Sequence, residues 1–272
     1  MQGLRPLTAA EKTRPYAKYY TRPMTPPGAG VYESIANPAD PGLALPLCDI
    51  NKLLEPGPRK LERGWCEFPD GSFYVAGYAD MPGVTTEMLE WWFAWHGLES
   101  LRYMIWDPDD HFAVNVKPDT LNRRFDRSLS WCERNWNTTD IVVEDVGTGV
   151  VTLEINFCSP ESMGYDMEKF RAGGFTAINA MINLQGQERF VTFSHNARPT
   201  QTGVELRSCF WLGWVVENGE YKRIKKDAPQ AEIAALAKGL SKHCTKEYHN
   251  LAAILPFVYA ENHEIIDRRE DF

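Results

Sequence analysis

The sequence predicts an α+β fold in which short antiparallel strands are followed by one long C-terminal helix. Two patterns carry this prediction. From Gly71 onward, segments such as HFAVNVK, DIVVEDV, VVTLEINF and RFVTFSH are rich in aromatic and β-branched residues and are separated by Gly, Asn, Pro or Asp turns. Beyond Asp227 the apolar spacing changes to three and four residues, the repeat of one helix face. Strands followed by a long helix argue α+β. A third observation sets the N-terminus apart: residues 1–64 hold many of the 18 prolines, which discourages regular helices and central strands. Residues 1–64 are therefore expected as an arm or small subdomain, and residues 65–272 as the main domain. An arm of this kind lies over its own or a partner subunit, so a homodimer is one expectation.

The elements follow in order. Ser72 to Ala79 (SFYVAGYA) reads as a strand, and Thr85 or Thr86 can cap a helix that runs through LEWWFAWH to a Gly97 stop. MIW, HFAVNVK, DIVVEDV, VVTLEINF, RFVTFSH and GVELRSCFWLGWVV then read as strands of an antiparallel meander. The last helix opens with Asp227 and Gln230 in a capping-box-like arrangement, tolerates Pro229 in its first turn and is expected to stop at Pro256 after about seven turns.

Composition narrows the function. A chain of 272 residues, 43% hydrophobic and 24% charged, can bury a substantial core. Its net charge of -8 opposes recruitment by nucleic acid or anionic membranes, and the run Lys222, Arg223, Lys225, Lys226 is flanked by Glu220 and Asp227, as in a solvated turn. The N-terminus lacks the ~7 to 15 apolar residues of a signal peptide, and no segment approaches the ~20 of a membrane span. Six cysteines without a C-x-x-C pair fit reduced thiols, so a cytoplasmic protein is expected.

The chemistry is concentrated on the last helix. Its apolar stripe steps through Ile233, Leu236, Leu240, His243, Glu247, Leu251 and Ile254, which places two ionisable residues at core positions. An unpaired buried carboxylate costs several kcal/mol, and a divalent metal is one remedy, because side chains four apart on a helix can reach one cation. The other remedy is a His and Glu bonded to each other or to the sheet, and the motif alone does not choose. Further ligands must come from the sheet. His111, which follows the acidic turn DPDD and opens a strand, ranks first; Glu144 interrupts the apolar run IVVEDV and can point inward. His96 at a helix end is expected to serve free carbonyls, while His195 suits a proton carrier or a satisfied strand-end histidine. No G-x-S-x-G, H-E-x-x-H, Walker or G-x-G-x-x-G motif occurs.

The motifs WWFAWH, LRYMIWDPDDHF, VVEDVG and the C-terminal H-x-x-x-E together resemble the 2,4-diacetylphloroglucinol hydrolase and phloretin hydrolase family, over residues 65 to 260. The resemblance implies a helix-grip domain, START-like and Bet v-like, with a smaller N-terminal region. It also implies one zinc ion (Zn2+) and hydrolysis of the carbon-carbon bond between an acyl group and a phenolic ring. Matched motif by motif, the metal ligands are His111, Glu144, His243 and Glu247, the catalytic tyrosine is Tyr103 and the cavity histidine is His195. Asn115 is even-numbered from His111 along a strand, so it should share a face with it and meet a substrate oxygen. Phe210 stands where the family resemblance would place a phenolic hydroxyl. Phe210 and Trp214 are expected to line the ring pocket, the alternative for the tryptophans being core packing.

These residues imply that water activated at the metal attacks the acyl carbonyl while Tyr103 or His195 helps the ring adopt its keto tautomer, as in a retro-Claisen cleavage. A carboxylate and a deacylated phenol would result. Two other readings keep the fold: a binding protein that holds an aromatic or lipid ligand without reacting on it, and a hydrolase of β-diketones.

Overall fold

The computed structural model describes residues 4–217 and 219–264. Asn218 and the last eight residues of the expected 65–272 domain lie outside the described residues.

The N-terminal region folds into short turns of helix, α1 (Ala9–Lys12), α2 (Ala17–Tyr20) and α3 (Val31–Ser34), with 3-10 turns at Pro41–Leu43 and Leu47–Leu54. Its prolines prevent longer elements, yet Tyr16, Tyr20, Leu47, Ile50 and Leu53 join the same hydrophobic core as the rest of the chain. Tyr16 meets Trp95 edge-on at 4.9 Å, and Trp211 Nε1 donates to the Leu45 carbonyl at 2.7 Å.

The body then runs β1 (Gly64–Glu67), β2 (Phe73–Pro82), α4 (Thr86–His96), α5 (Ser100–Met104), β3 (His111–Val116), α6 (Leu121–Arg124), α7 (Trp131–Asn135), β4 (Thr139–Asp145), β5 (Val150–Cys158), α8 (Met167–Ala172), β6 (Thr176–Leu184), β7 (Val191–Pro199), β8 (Gly203–Leu212), β9 (Trp214–Glu217), β10 (Glu220–Arg223) and α9 (Gln230–Asn262). Eight strands form one antiparallel sheet in the order β1-β2-β8-β7-β6-β5-β4-β3. Strands β3 to β8 form the expected meander. The chain crosses from β2 to β3 at the opposite end through α4 and α5, so these helices and α9 are the elements that meet the sheet's inner face. No helix among the described residues is long and apolar enough to cross a membrane.

Several expectations hold and several do not. Thr85 caps α4 by accepting from the Met88 N–H at 3.2 Å, and Gly97 ends it. MIW is no strand: Met104 ends α5, and the Ile105 N–H returns to the Leu101 carbonyl at 3.0 Å. A three-residue apolar run carries no period that separates helix from strand. Strand β6 escaped notice because TAINAMINL is rich in Ala and Asn; Asn183 is satisfied across the sheet by Asn156 at 2.9 Å and Glu154 at 2.9 Å. The segment GVELRSCFWLGWVV breaks at Gly213, whose φ of +91° turns β9 away to pair with β10.

Helix α9 differs at both ends from the sequence reading. The capping box at Asp227 does not form: Pro229 is the N-cap, and the Gln230 amide donates to the Gly71 carbonyl at 2.8 Å and to Glu67 at 2.9 Å. Pro256 does not stop the helix, which reaches Asn262. The lost hydrogen bond is offset by burial of Leu255 and Val258 and by Tyr259 standing edge-on to Trp91 at 5.2 Å.

Candidate metal centre and adjoining cavity

Strands β3 and β4 set the first half of the site, because their register places His111 directly across from Glu144. Helix α9 sets the second half, its four-residue spacing projecting His243 and Glu247 from one face. All four side chains are buried. His111 Nε2 lies 3.3 Å from His243 Nε2, 3.5 Å from Glu247 Oε2 and 3.9 Å from Glu144 Oε2, and His243 Nε2 lies 3.7 Å from Glu247 Oε2. Donors about 2.0 to 2.2 Å from a tetrahedral zinc stand roughly 3.3 to 3.6 Å apart, so His111, His243 and Glu247 fit a cation with little rearrangement, while Glu144 would have to swing inward to join them.

The groups behind these four orient them. His111 Nδ1 sits 3.2 Å from the Tyr103 carbonyl, which can only accept, so Nδ1 carries the proton and Nε2 turns its lone pair inward. The Tyr103 ring stacks on His111 at 3.9 Å, nearly parallel at 4°, and its hydroxyl donates to Glu144 in a short hydrogen bond. His243 Nδ1 faces Asp110 Oδ2 at 3.4 Å and Asp107 Oδ2 at 3.9 Å. Lys246 Nζ lies 3.0 Å from Asp107 and makes a short contact with Asp110. Trp106 Nε1 donates to the Glu247 carbonyl at 3.1 Å, and Asn250 donates to the Trp106 carbonyl at 2.8 Å, which ties the chain after α5 to α9.

Asp107 is a second candidate ligand, since it, His111 and His243 offer atoms all within 4.8 Å of one another. Its Oδ2 approaches His243 through Nδ1, the ring nitrogen that does not face His111. The set centred on the two Nε2 atoms is the tighter one, and Asp107 with Asp110 better suits the outer role of orienting an imidazole. Asp107, Asp110 and Lys246 were missed in the sequence. The run DPDD was visible there only as a turn, and its meeting with a lysine on α9 is tertiary.

Electrostatics report a site in need of positive charge. Burial drives Glu247 well above the usual carboxylate range and raises Glu144, with His243 opposing both. Burial would depress His243, but Glu247, Asp110 and Glu144 outweigh it and lift its pKa to about 9. His111 goes the other way, depressed well below its ordinary value by burial and by His243. The paired carboxylates thus draw one proton onto His243, at the point where a divalent cation would meet the same demand.

Beside the four donors lies a cavity of about 60 Å³ walled by Phe93, His96, Trp106, Phe157, Phe193 and Phe210, with Tyr103, Glu144, His195, His243 and Glu247 also facing it. His195 is held through Nδ1, 2.9 Å from Ser208 Oγ, and burial pushes its pKa down to about 3. Phe210 stands edge-on to His195 at 5.4 Å, so it belongs to this wall.

Two expected residues lie elsewhere. Asn115 is exposed, because a β-bulge between His111 and Ala113 shifts the register and cancels the even-spacing argument. Trp214 follows the turn at Gly213, donates from Nε1 to Ser72 Oγ at 3.1 Å and lines a separate surface pocket with Leu47 and Phe68. His96, expected at carbonyls, does lie 2.8 Å from the Trp92 carbonyl through Nδ1, and it also borders the cavity.

Known proteins place this architecture. The chain is 33% identical over 257 residues to phloretin hydrolase of Eubacterium ramulus, covering 92% of this chain and 91% of that one. It is 30% identical over 267 residues to 2,4-diacetylphloroglucinol hydrolase of Pseudomonas protegens, covering 93% and 86%. A 2,4-diacetylphloroglucinol hydrolase from a Pseudomonas species matches at 30% over 267 residues, covering 93% and 90%. Residues 45–260 match the model of the DAPG hydrolase PhiG domain. With that match running from the N-terminal turns to the last helix, the chain belongs to the DAPG hydrolase PhiG domain family and is a hydrolase.

Proposed function

We propose that this chain is a zinc-dependent hydrolase of helix-grip, START-like fold that cleaves the carbon-carbon bond between an acyl group and a phloroglucinol-type ring. The products are a carboxylate and the deacylated phenol. The observation that carries the reading is the convergence of His111 and His243, Nε2 to Nε2 at 3.3 Å, with Glu144 and Glu247 at the edge of an aromatic cavity. A chain that only held an aromatic ligand would have no use for four buried ionisable groups whose charges must be balanced. The six cysteines are free thiols, which supports a reducing, cytoplasmic setting.

His111, Glu144, His243 and Glu247 would hold the zinc. When bound, it supplies Lewis acidity that polarises an acyl carbonyl and acidifies water. The chain's own residues supply the rest. Burial and Glu144 hold the Tyr103 hydroxyl well above its usual pKa, so it keeps its proton and donates. His195 stays neutral, and with Nδ1 engaged by Ser208 its Nε2 is the atom left for a ring hydroxyl. A ring hydroxyl that gives up its proton while the acyl-bearing carbon gains one passes to the keto form. Addition of water to the acyl carbon then breaks the bond to that sp³ carbon, and the ring leaves as an enol, which is the phenol. Phe93, Phe193 and Phe210 pack around His195 and exclude bulk water from this exchange.

The test is metal analysis of the purified chain beside His243→Ala and Glu247→Ala, with folding checked by circular dichroism, and an assay of acylphloroglucinols for acid release. About one zinc per chain, lost from folded variants, with acid and phenol formed in equal amounts, is expected. A folded wild-type chain that takes up no metal on reconstitution would overturn the reading.

A further inference from the structure

The inner faces of the elements that wall the cavity do not end with it. On β5, Ile155 faces the cavity, and Leu153 and Val151, two and four residues on, continue the same face outward. On β4 the row is Val142 and Glu144, paired to Leu153 and Val151, and Val146 follows in the turn just past the strand end. On β6, Ile182 is followed by Leu184, which pairs with Leu153. On α9, Leu240 is followed toward the N-terminus by Leu236 and Ile233, one and two turns away.

These rows bound a groove of about 600 Å³ that shares Glu144, Ile182 and Leu240 with the cavity and reaches Phe190 and Lys226 at its far end. Val151, Leu153 and Leu236 are only half-buried, so each leaves apolar surface facing it. Glu144, one of the four donors, stands at the junction. A second groove, lined by Lys238, Lys242 and Lys246, also reaches His243. The turn after β4 separates the two. A Cβ on Gly239 would stand 2.2 Å from the Val146 carbonyl oxygen, and one on Gly147 would stand 3.2 Å from Gly239 Cα, so turn and helix touch backbone to backbone.

We infer that the apolar groove is the acyl-chain subsite: it takes the part of the substrate beyond the carbonyl carbon, an apolar chain of three or more carbons, while the ring occupies the aromatic cavity. The inference rests on the proposed reaction for the position of the carbonyl, beside Glu144, and the continuous apolar rows supply the direction in which the chain leaves. The lysine groove offers no comparable apolar wall and is the path suited to the carboxylate once formed.

The experiment is a series of alkanoylphloroglucinols from acetyl to hexanoyl, with kcat and KM measured on the zinc-loaded full chain. Each buried methylene should raise kcat/KM roughly fourfold, mainly through KM. Leu236→Asn and Leu153→Asn, confirmed folded by thermal melts, should flatten that dependence. No dependence on chain length in the wild type, or variants whose slopes parallel it, would overturn the subsite. Should no acylphloroglucinol be cleaved, the binding of acetate through hexanoate, followed by calorimetry, separates the two ideas. A roughly fourfold gain per methylene, lost in Leu236→Asn, keeps the subsite when the reaction reading has failed; its absence removes the subsite as well.

Discussion

His111 Nε2 and His243 Nε2 face each other at 3.3 Å across 132 residues of sequence. Each ring has its other nitrogen fixed from behind, His111 by the Tyr103 carbonyl at 3.2 Å and His243 by Asp110 at 3.4 Å. Two Nε2 atoms aimed at one point, with the opposite nitrogens engaged by unrelated elements, are the arrangement a cation site requires once His243 gives up its proton to the incoming cation. The groups that set them therefore become experimental handles.

Asp110 orients His243 without belonging to the inner four donors. Replacing it, Asp110→Asn, should weaken zinc binding by about 10- to 100-fold and leave the fold intact, whereas Glu247→Gln should abolish tight binding. Competition with a chelator of known affinity measures both. Equal retention of zinc by Asp110→Asn and wild type would contradict the orienting role.

Tyr103 donates to Glu144 and stacks on His111. Tyr103→Phe keeps the stack and removes the donor, so kcat should fall about 10²-fold or more with little change in KM or melting temperature. A large loss of stability with unchanged kcat would make the residue structural only.

Gly239 reverses a general rule. Glycine inside a helix usually costs about 1 kcal/mol relative to alanine, so Gly239→Ala should stabilise if only α9 mattered. The added Cβ would instead meet the Val146 carbonyl oxygen at 2.2 Å, a backbone atom beside the Glu144 strand end. We expect destabilisation by about 1 to 3 kcal/mol in denaturant unfolding, together with weaker zinc binding. A stabilised variant would show that the turn yields freely.

Arg124 and Asp140 form a buried pair at 2.6 Å, and Arg124 also donates to the Phe93 carbonyl at 2.6 Å. Asp140→Ala leaves a buried guanidinium without its counter-charge and should cost about 3 to 5 kcal/mol, measured as a shift in the denaturant midpoint. A cost near zero would mean that water reaches the pair.

His96 is depressed to about 3 by burial. Its folded pKa lies below the ordinary value, so the unfolded chain takes up the proton first as the pH falls. The stability it permits is full above about 6.5 and is lost from there toward about 3. His96→Gln should therefore be less stable than wild type at pH 7.5 through lost packing, and that deficit should shrink by up to about 1.4 kcal/mol per pH unit below 6. Parallel stability curves would show that His96 already titrates normally when folded.

Much of this was legible in the chain. Periodicity marked α9 and put His243 and Glu247 on its buried face, because a helix repeat is local and a carboxylate in an apolar stripe stands out. The end of DPDD and the break in IVVEDV marked His111 and Glu144 for the same local reason. Asn115 failed because a bulge is set by how two strands pair, and parity counted along one strand is blind to it. Trp214 failed because one glycine at positive φ redirected a segment whose composition reads as a single strand.

The sequence by itself determined the class of fold, the strands other than β6 of the meander, the helix that carries His243 and Glu247, and the four buried ionisable residues that we propose hold the metal. Only the tertiary structure decided what surrounds them: the acidic turn with Lys246 behind His243, the aromatic cavity that holds His195, and the apolar groove beyond Glu144. The physical reason is range. Propensity and period act over a few residues and are written in the local order of side chains, whereas a cavity and its charge balance arise where distant segments pack, and no local pattern encodes that meeting.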